Sequence, residues 1–189
     1  MNNCFFKEEK GKRTAVLIFH RDQLLYDIRN NAYIEGSVVN TTAPNINNQN
    51  RDNATALAHT AHMIQDIGND GNIDRVSRVL NLAHAHIKES LYPYTKHIIH
   101  DDQITNLLRK PNSYSVVLQV PHNFSQTSLI LLQNFIHEYY VCRVIADWLT
   151  FTYPQKTQPW IDRAEQAEKE IRRCLINRTN PIRRKPSIF

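Results

Sequence analysis

The chain has 189 residues and a mass of 22.1 kDa, with 41% hydrophobic and 22% charged residues. Only 4 Gly and 8 Pro exclude a collagen-like or Gly/Pro low-complexity chain, and the length suffices for one domain with a real core. The formal net charge is +5. Six of the 23 basic residues (Arg172, Arg173, Arg178, Arg183, Arg184 and Lys185) fall within 172–189, where there is no acid. Setting those six aside leaves 17 basic residues against 18 acids, so the body is nearly neutral. The charge reads as a terminal arm that meets something acidic, not as a basic domain.

Residues 1–12 read as a flexible leader. Phe5 and Phe6 are followed at once by Lys7, Glu8, Glu9 and Lys10, so there is no apolar core of a signal peptide. The β-branched run 14–19 predicts a strand. Asp22 then caps a helix over 23–36, with Leu25, Ile28 and Ala32 on one face and Gly36 as terminator. The Asn-rich stretch 37–52, carrying Pro44, predicts a long loop. A helix follows from Asp52 or Asn53 to Ile67, with Leu57, Ala61 and Ile64 inward. Gly68–Gly71 interrupts it, and a second helix runs from Asn72 to Tyr92 on the stripe Ile73, Val76, Leu80, Ala83, Ile87 and Leu91. So short a break predicts an antiparallel αα-hairpin over 53–92, ended by Pro93.

Residues 94–112 are polar, with a short helical piece expected around 103–108. The run 113–120, between Pro111 and Pro121, is the second strand. It pairs with 14–19, since a lone strand leaves its backbone groups unsatisfied. The most apolar helix spans 125–152, with Leu129, Leu132, Ile136, Tyr140, Val144 and Trp148 inward and Leu131, Phe135, Cys142, Ile145 and Leu149 flanking. Arg143 and Asp147, four apart, are expected to pair. Gln133, Asn134, His137 and Glu138 also interrupt it, so it is no lipid-facing span. The last helix starts at Pro159-Trp160 on the stripe Trp160, Ala164, Ala167, Ile171 and Leu175, with Glu165–Lys169 and Glu168–Arg172 as surface pairs. Thr179-Asn-Pro181 ends it. The expected fold is mainly α: about five helices in a bundle containing the αα-hairpin, plus a small two-stranded antiparallel β element. The chain divides into the leader 1–12, a single helical domain 13–177, and a basic C-terminal arm 178–189.

The candidate chemistry is sparse. His59 and His62 form an HxxH, while His84 and His86 lie 200° apart on a helical wheel and cannot converge on one ion. His137-Glu138 starts an HExxH, but Val141 stands at the second His position. Asp66–Asp74 has the look of an EF-hand loop, yet Gly68 and Ser77 occupy two ligand positions. A helix connection fits better, with Gly68 or Gly71 in a left-handed cap conformation and Asp70 or Asn72 capping the next helix. No phosphate-cradling Gly motif occurs. Cys4, Cys142 and Cys174 form no CxxC, and the latter two read as packed, reduced thiols in a soluble protein. No catalytic residue, metal or cofactor is expected. The arm lacks interleaved aromatics for base stacking and ends in Pro-Ser-Ile-Phe, which favours docking on protein.

The phrases RVLNLAHAHIKESLYPYT (78–95) and FIHEYYVCRVIADWLTFTYPQKTQPW (135–160), the amphipathic AEQAEKEIRRCL (164–175) and the basic tail resemble head–tail connector (adaptor) proteins of tailed bacteriophages and prophages. The resemblance covers roughly 52–189; the Asn-rich loop and the N-terminal strand depart from it. It implies a virion structural protein made in a bacterial host cytoplasm. It implies a ring of copies, dodecameric, between portal and tail, through which DNA passes without sequence recognition. The partners would be self, the portal protein and tail or further ring proteins, with no membrane. Arg178, Arg183, Arg184, Lys185, Ile188 and Phe189 would form the docking arm. The competing expectation is a small nucleic-acid-binding accessory protein using the same tail; a metal-dependent enzyme built on the His pairs is a third.

Overall fold

The computed structural model describes residues 12–41, 51–95 and 105–176. It is mainly helical with one small sheet. Strand β1 (Lys12–His20) pairs antiparallel with β2 (Ser113–Pro121), Val16 facing Val117 and Phe19 facing Tyr114. Alternation sorts the sheet's two faces. Ala15, Leu17, Phe19, Tyr114, Val116, Leu118 and Val120 are buried inward, while Val16 and Ile18 stay exposed outside.

Helix α1 (Arg21–Thr41) follows β1 without a break and buries Leu24, Leu25, Ile28, Ala32 and Val39. It runs straight through Gly36, so that residue is not a terminator and residues 37–41 are helical rather than loop. The reason for the glycine is contact. A Cβ there would sit 2.9 Å from the Ala61 carbonyl oxygen and 2.8 Å from Gln65 Cγ. Gly36 lets α1 approach α2 (Arg51–Gln65) more closely than any side chain allows. Because α2 begins at Arg51, only 42–50 of the expected loop lies between the helices, outside the described residues.

A 3₁₀ turn (Asp66–Gly68) leads to α3 (Ile73–Ser90), which buries Val76, Leu80, Ala83 and Ile87. Asp66 is used locally: its carboxylate accepts from Asn69 Nδ2 and its carbonyl from Asn72 Nδ2. No glycine here needs a left-handed backbone. Gly68 is small because Arg29 lies across it, 2.5 Å from where a Cβ would be, and donates to its carbonyl. Asn72 occupies the N-cap position of α3 but makes no side-chain cap bond. The expected hairpin is also corrected. Helix α2 packs chiefly on α1, and α3 packs on α5 (Gln126–Thr152), so the connection swings α3 away from α2.

The four-residue α4 (Tyr92–Thr95) contains Pro93 and packs against β2. Residues 105–108 are not helical. Helix α5 is the centre: Leu132, Ile136, Tyr140, Cys142, Ile145 and Leu149 have no more than 1% exposure, so it is enclosed on most sides. A 3₁₀ turn (Pro154–Lys156) joins it to α6 (Thr157–Ile176), and among the described residues these two pack on each other most extensively of the helices. Trp160, Ala164, Ala167, Ile171 and Leu175 are buried as the stripe requires. Arg172 and Arg173 lie within α6, where they pair with Glu168 and Glu170. The unopposed basic run therefore starts at Arg178, later than the composition suggests.

Candidate functional site

The polar chemistry of the core gathers where α3 and β2 cross α5. Consecutive tyrosines on α5 meet alternate histidines on α3. Tyr140 OH lies 2.9 Å from His84 Nδ1, and Tyr139 OH lies 2.5 Å from His86 Nδ1. Both tyrosine side chains are buried. A buried hydroxyl hydrogen needs an acceptor, so each tyrosine donates and each histidine accepts at Nδ1. Burial, with a smaller push from Lys88, lowers the His84 pKa to about 4 and keeps the ring in that neutral, accepting form. Burial likewise raises the Tyr139 and Tyr140 hydroxyls above the usual phenol range, Tyr140 by far. Tyr114 of β2 extends the array. Its ring lies 5.2 Å from His84, and its hydroxyl donates to Asn81 Oδ1 while Asn81 Nδ2 donates to the Arg109 carbonyl.

Beside this array a groove of about 340 Å³ opens between α3 and α5. Val79, Leu82 and Ala83 make an apolar wall, and His86, Glu89, Tyr139 and Arg143 supply polar groups. Arg143 does not pair with Asp147 as its spacing predicts. Asp147 instead accepts from Arg75 of α3 at 3.0 Å, and the Arg75 guanidinium also lies 4.0 Å above the Phe151 ring. Arg75 gains both the Asp147 carboxylate and the Phe151 ring, and so outcompetes the exposed Arg143 on the same helix. Arg143 makes no ion pair among the described residues and faces the groove.

Other predicted positions are separated. His59 and His62 are exposed on α2, and His137 Nε2 meets Asp27 of α1 at 2.8 Å. Among the described residues no group of three His, Cys, Asp or Glu side chains is placed to hold an ion. Cys142 is buried, and burial pushes its thiol up to about 12, so it stays protonated and is a poor nucleophile at neutral pH. Of the two surface pairs expected on α6, Glu168–Arg172 forms at 2.6 Å. Among the described residues no helix is long and apolar enough to cross a membrane. The arm residues Arg178, Arg183, Arg184, Lys185, Ile188 and Phe189 lie outside the described residues, as does Cys4. Tyr139, His86, Glu89 and Arg143 were not grouped by sequence reasoning, in which His86 and Arg143 figure only in other roles. The available signal was a Tyr-Tyr pair on the central helix matched by a His-x-His on its neighbour.

No family model, curated protein or solved structure matches this chain.

Proposed function

We propose that the protein is a structural adaptor of the tailed-phage head–tail connector kind, which joins copies of itself into a ring between portal and tail. The observation that supports this most is the α5–α6 hairpin. The phrase 135–160, which carries the resemblance, forms the second half of an enclosed central helix, a three-residue turn, and the start of a second amphipathic helix. Such a closely packed hairpin suits a body that presents a terminal arm to a neighbour. The groove residues hold helices together and wall a cleft; they form no nucleophile–base pair that would favour an enzyme. In the adaptor reading Arg178, Arg183, Arg184 and Lys185 meet acidic groups on a neighbouring copy or the portal, and Ile188 and Phe189 anchor the contact.

The test removes residues 178–189 and mixes the shortened protein with portal rings. Loss of assembly, seen by electron microscopy or by mass, is the expected outcome; intact rings on the portal overturn the reading. The runner-up rests on the same four basic residues, none of them opposed by an acid beyond residue 176. A nucleic-acid-binding accessory protein predicts that the isolated chain binds DNA with a steep salt dependence that disappears with the arm.

A further inference from the structure

Helix α3 turns one face to the core and an ordered ridge to the outside. At about 100° per residue, Arg78, Leu82, Ala85 and Glu89 fall within about 60° of one another, opposite the buried Leu80, Ala83 and Ile87. All four are exposed, Leu82 at 66%. One exposed leucine is ordinary on a protein surface. The order of its neighbours is what carries information. A cation, a large apolar side chain, a small one and an anion follow each other over about 16 Å of helix. Arg78 and Glu89 are too far apart to reach each other, and among the described residues neither side chain makes a hydrogen bond or an ion pair.

The groove beside this ridge has the same polarity. Arg75 meets Asp147, His84 meets Tyr140 and His86 meets Tyr139, so α3 and α5 run antiparallel. Arg143 is therefore level with about residues 79–82 of α3, close to Arg78, while Glu89 lines the opposite end. Val79, Leu82, Ala83 and Ala85 lie between the cationic end and the anionic end.

We propose that this face of α3 is a dimer interface, and that its occupant is α3 of a second copy, antiparallel about a two-fold axis midway between Leu82 and Ala85. In that register Leu82 of each copy lies over Ala85 of the other, a large side chain on a small one, so the helices can approach closely. Arg78 of each copy meets Glu89 of the other, and Arg143 adds a second guanidinium beside that carboxylate. Every contact occurs twice, as a self-complementary interface requires. Charge selects the occupant and the direction together. The antiparallel pair is attractive at both ends, whereas a parallel pair sets Arg78 on Arg78 and Glu89 on Glu89. The basic stretch 178–185 fits worse, because Arg78 and Arg143 repel it at one end. A two-fold contact closes on itself, so a larger ring needs a second, different contact. The dimer therefore goes beyond the connector reading and does not rest on it.

The test follows the mass of the full chain by light scattering or sedimentation as its concentration rises. One helix per copy makes a small interface, so the wild type is expected to dimerise at micromolar concentration. Leu82→Gln and Glu89→Arg alter exposed positions, and each should leave the circular dichroism spectrum unchanged. Leu82→Gln should raise the dissociation constant about tenfold. Glu89→Arg sets cation on cation at both ends and should abolish the dimer. Adding Arg78→Glu to Glu89→Arg reverses both pairs and should recover association by about tenfold or more over Glu89→Arg alone. Arg78→Glu by itself, which sets acid on acid, decides the matter if Glu89→Arg misfolds. A wild type that stays monomeric to its solubility limit overturns the proposal. So does wild-type association in a folded single variant, or a double variant that recovers nothing.

Discussion

The two tyrosine–histidine pairs share one chemistry and differ in surroundings. Tyr140 donates to His84, a partly buried ring wedged against Tyr114 and close to Tyr140 itself. Tyr139, the adjacent residue, donates to His86, which is exposed and lines the groove. On the first pair water reaches the two partners poorly, so the bond does more to fix α3 on α5. On the second pair water competes at the histidine, so the bond shapes a cleft wall more than it secures the fold. The surroundings of the acceptor, not the hydrogen bond itself, determine its worth.

Three measurements test that contrast. Tyr140→Phe should be the most damaging, lowering the free energy of unfolding by about 1–3 kcal/mol in urea, because it strands His84 Nδ1 away from water. A loss no larger than that of the matching change at Tyr139 would erase the distinction. Acid should act next. The folded His84 pKa of about 4 lies below its ordinary 6.5, so the unfolded chain binds the extra proton first. The stabilisation is complete above pH 6.5 and fades as pH falls from 6.5 through 4. It should amount to about 1–2 kcal/mol once the ring's partial solvent access is allowed for. Thermal melts between pH 7 and pH 4.5 would show it, and His84→Leu should flatten that part of the slope; a slope unchanged in the variant assigns it to other groups. Tyr139→Phe should be mildest, at about 0.5–1 kcal/mol, with the groove still formed.

Much of this architecture was legible in the sequence because it follows from periodicity. Alternation marked β1 and β2, and spacings of three and four marked the buried stripes of α3, α5 and α6. The failures share a physical cause: each depends on what lies across space. Gly36 looks like a stop because glycine is a poor helix former, yet it marks the close approach of α1 to the Ala61 carbonyl. Asp147 has an arginine one turn away on its own helix and takes Arg75 from another. The four-residue link Gly68–Gly71 looks like a hairpin turn, but Arg29 packs over Gly68 and the following helix leaves for α5. The Tyr139–His86 contact is hard to read for the same reason: neither residue breaks the pattern of its own helix, and only the matched Tyr-Tyr and His-x-His spacings hint at it.

The pairing of β1 with β2 has a consequence for how the chain reaches its fold. His20 and Ser113 are direct partners across all of α1 to α4. Closing a loop of about 90 residues costs roughly 4 kcal/mol of chain entropy before the first ladder bond forms. Helix α5 and helix α6 need only a short turn to meet, so they gain contacts early and cheaply. The sheet is therefore expected to form late, on a surface that the helices have already built. Changes in β1 should accordingly quicken unfolding while leaving the refolding rate almost untouched.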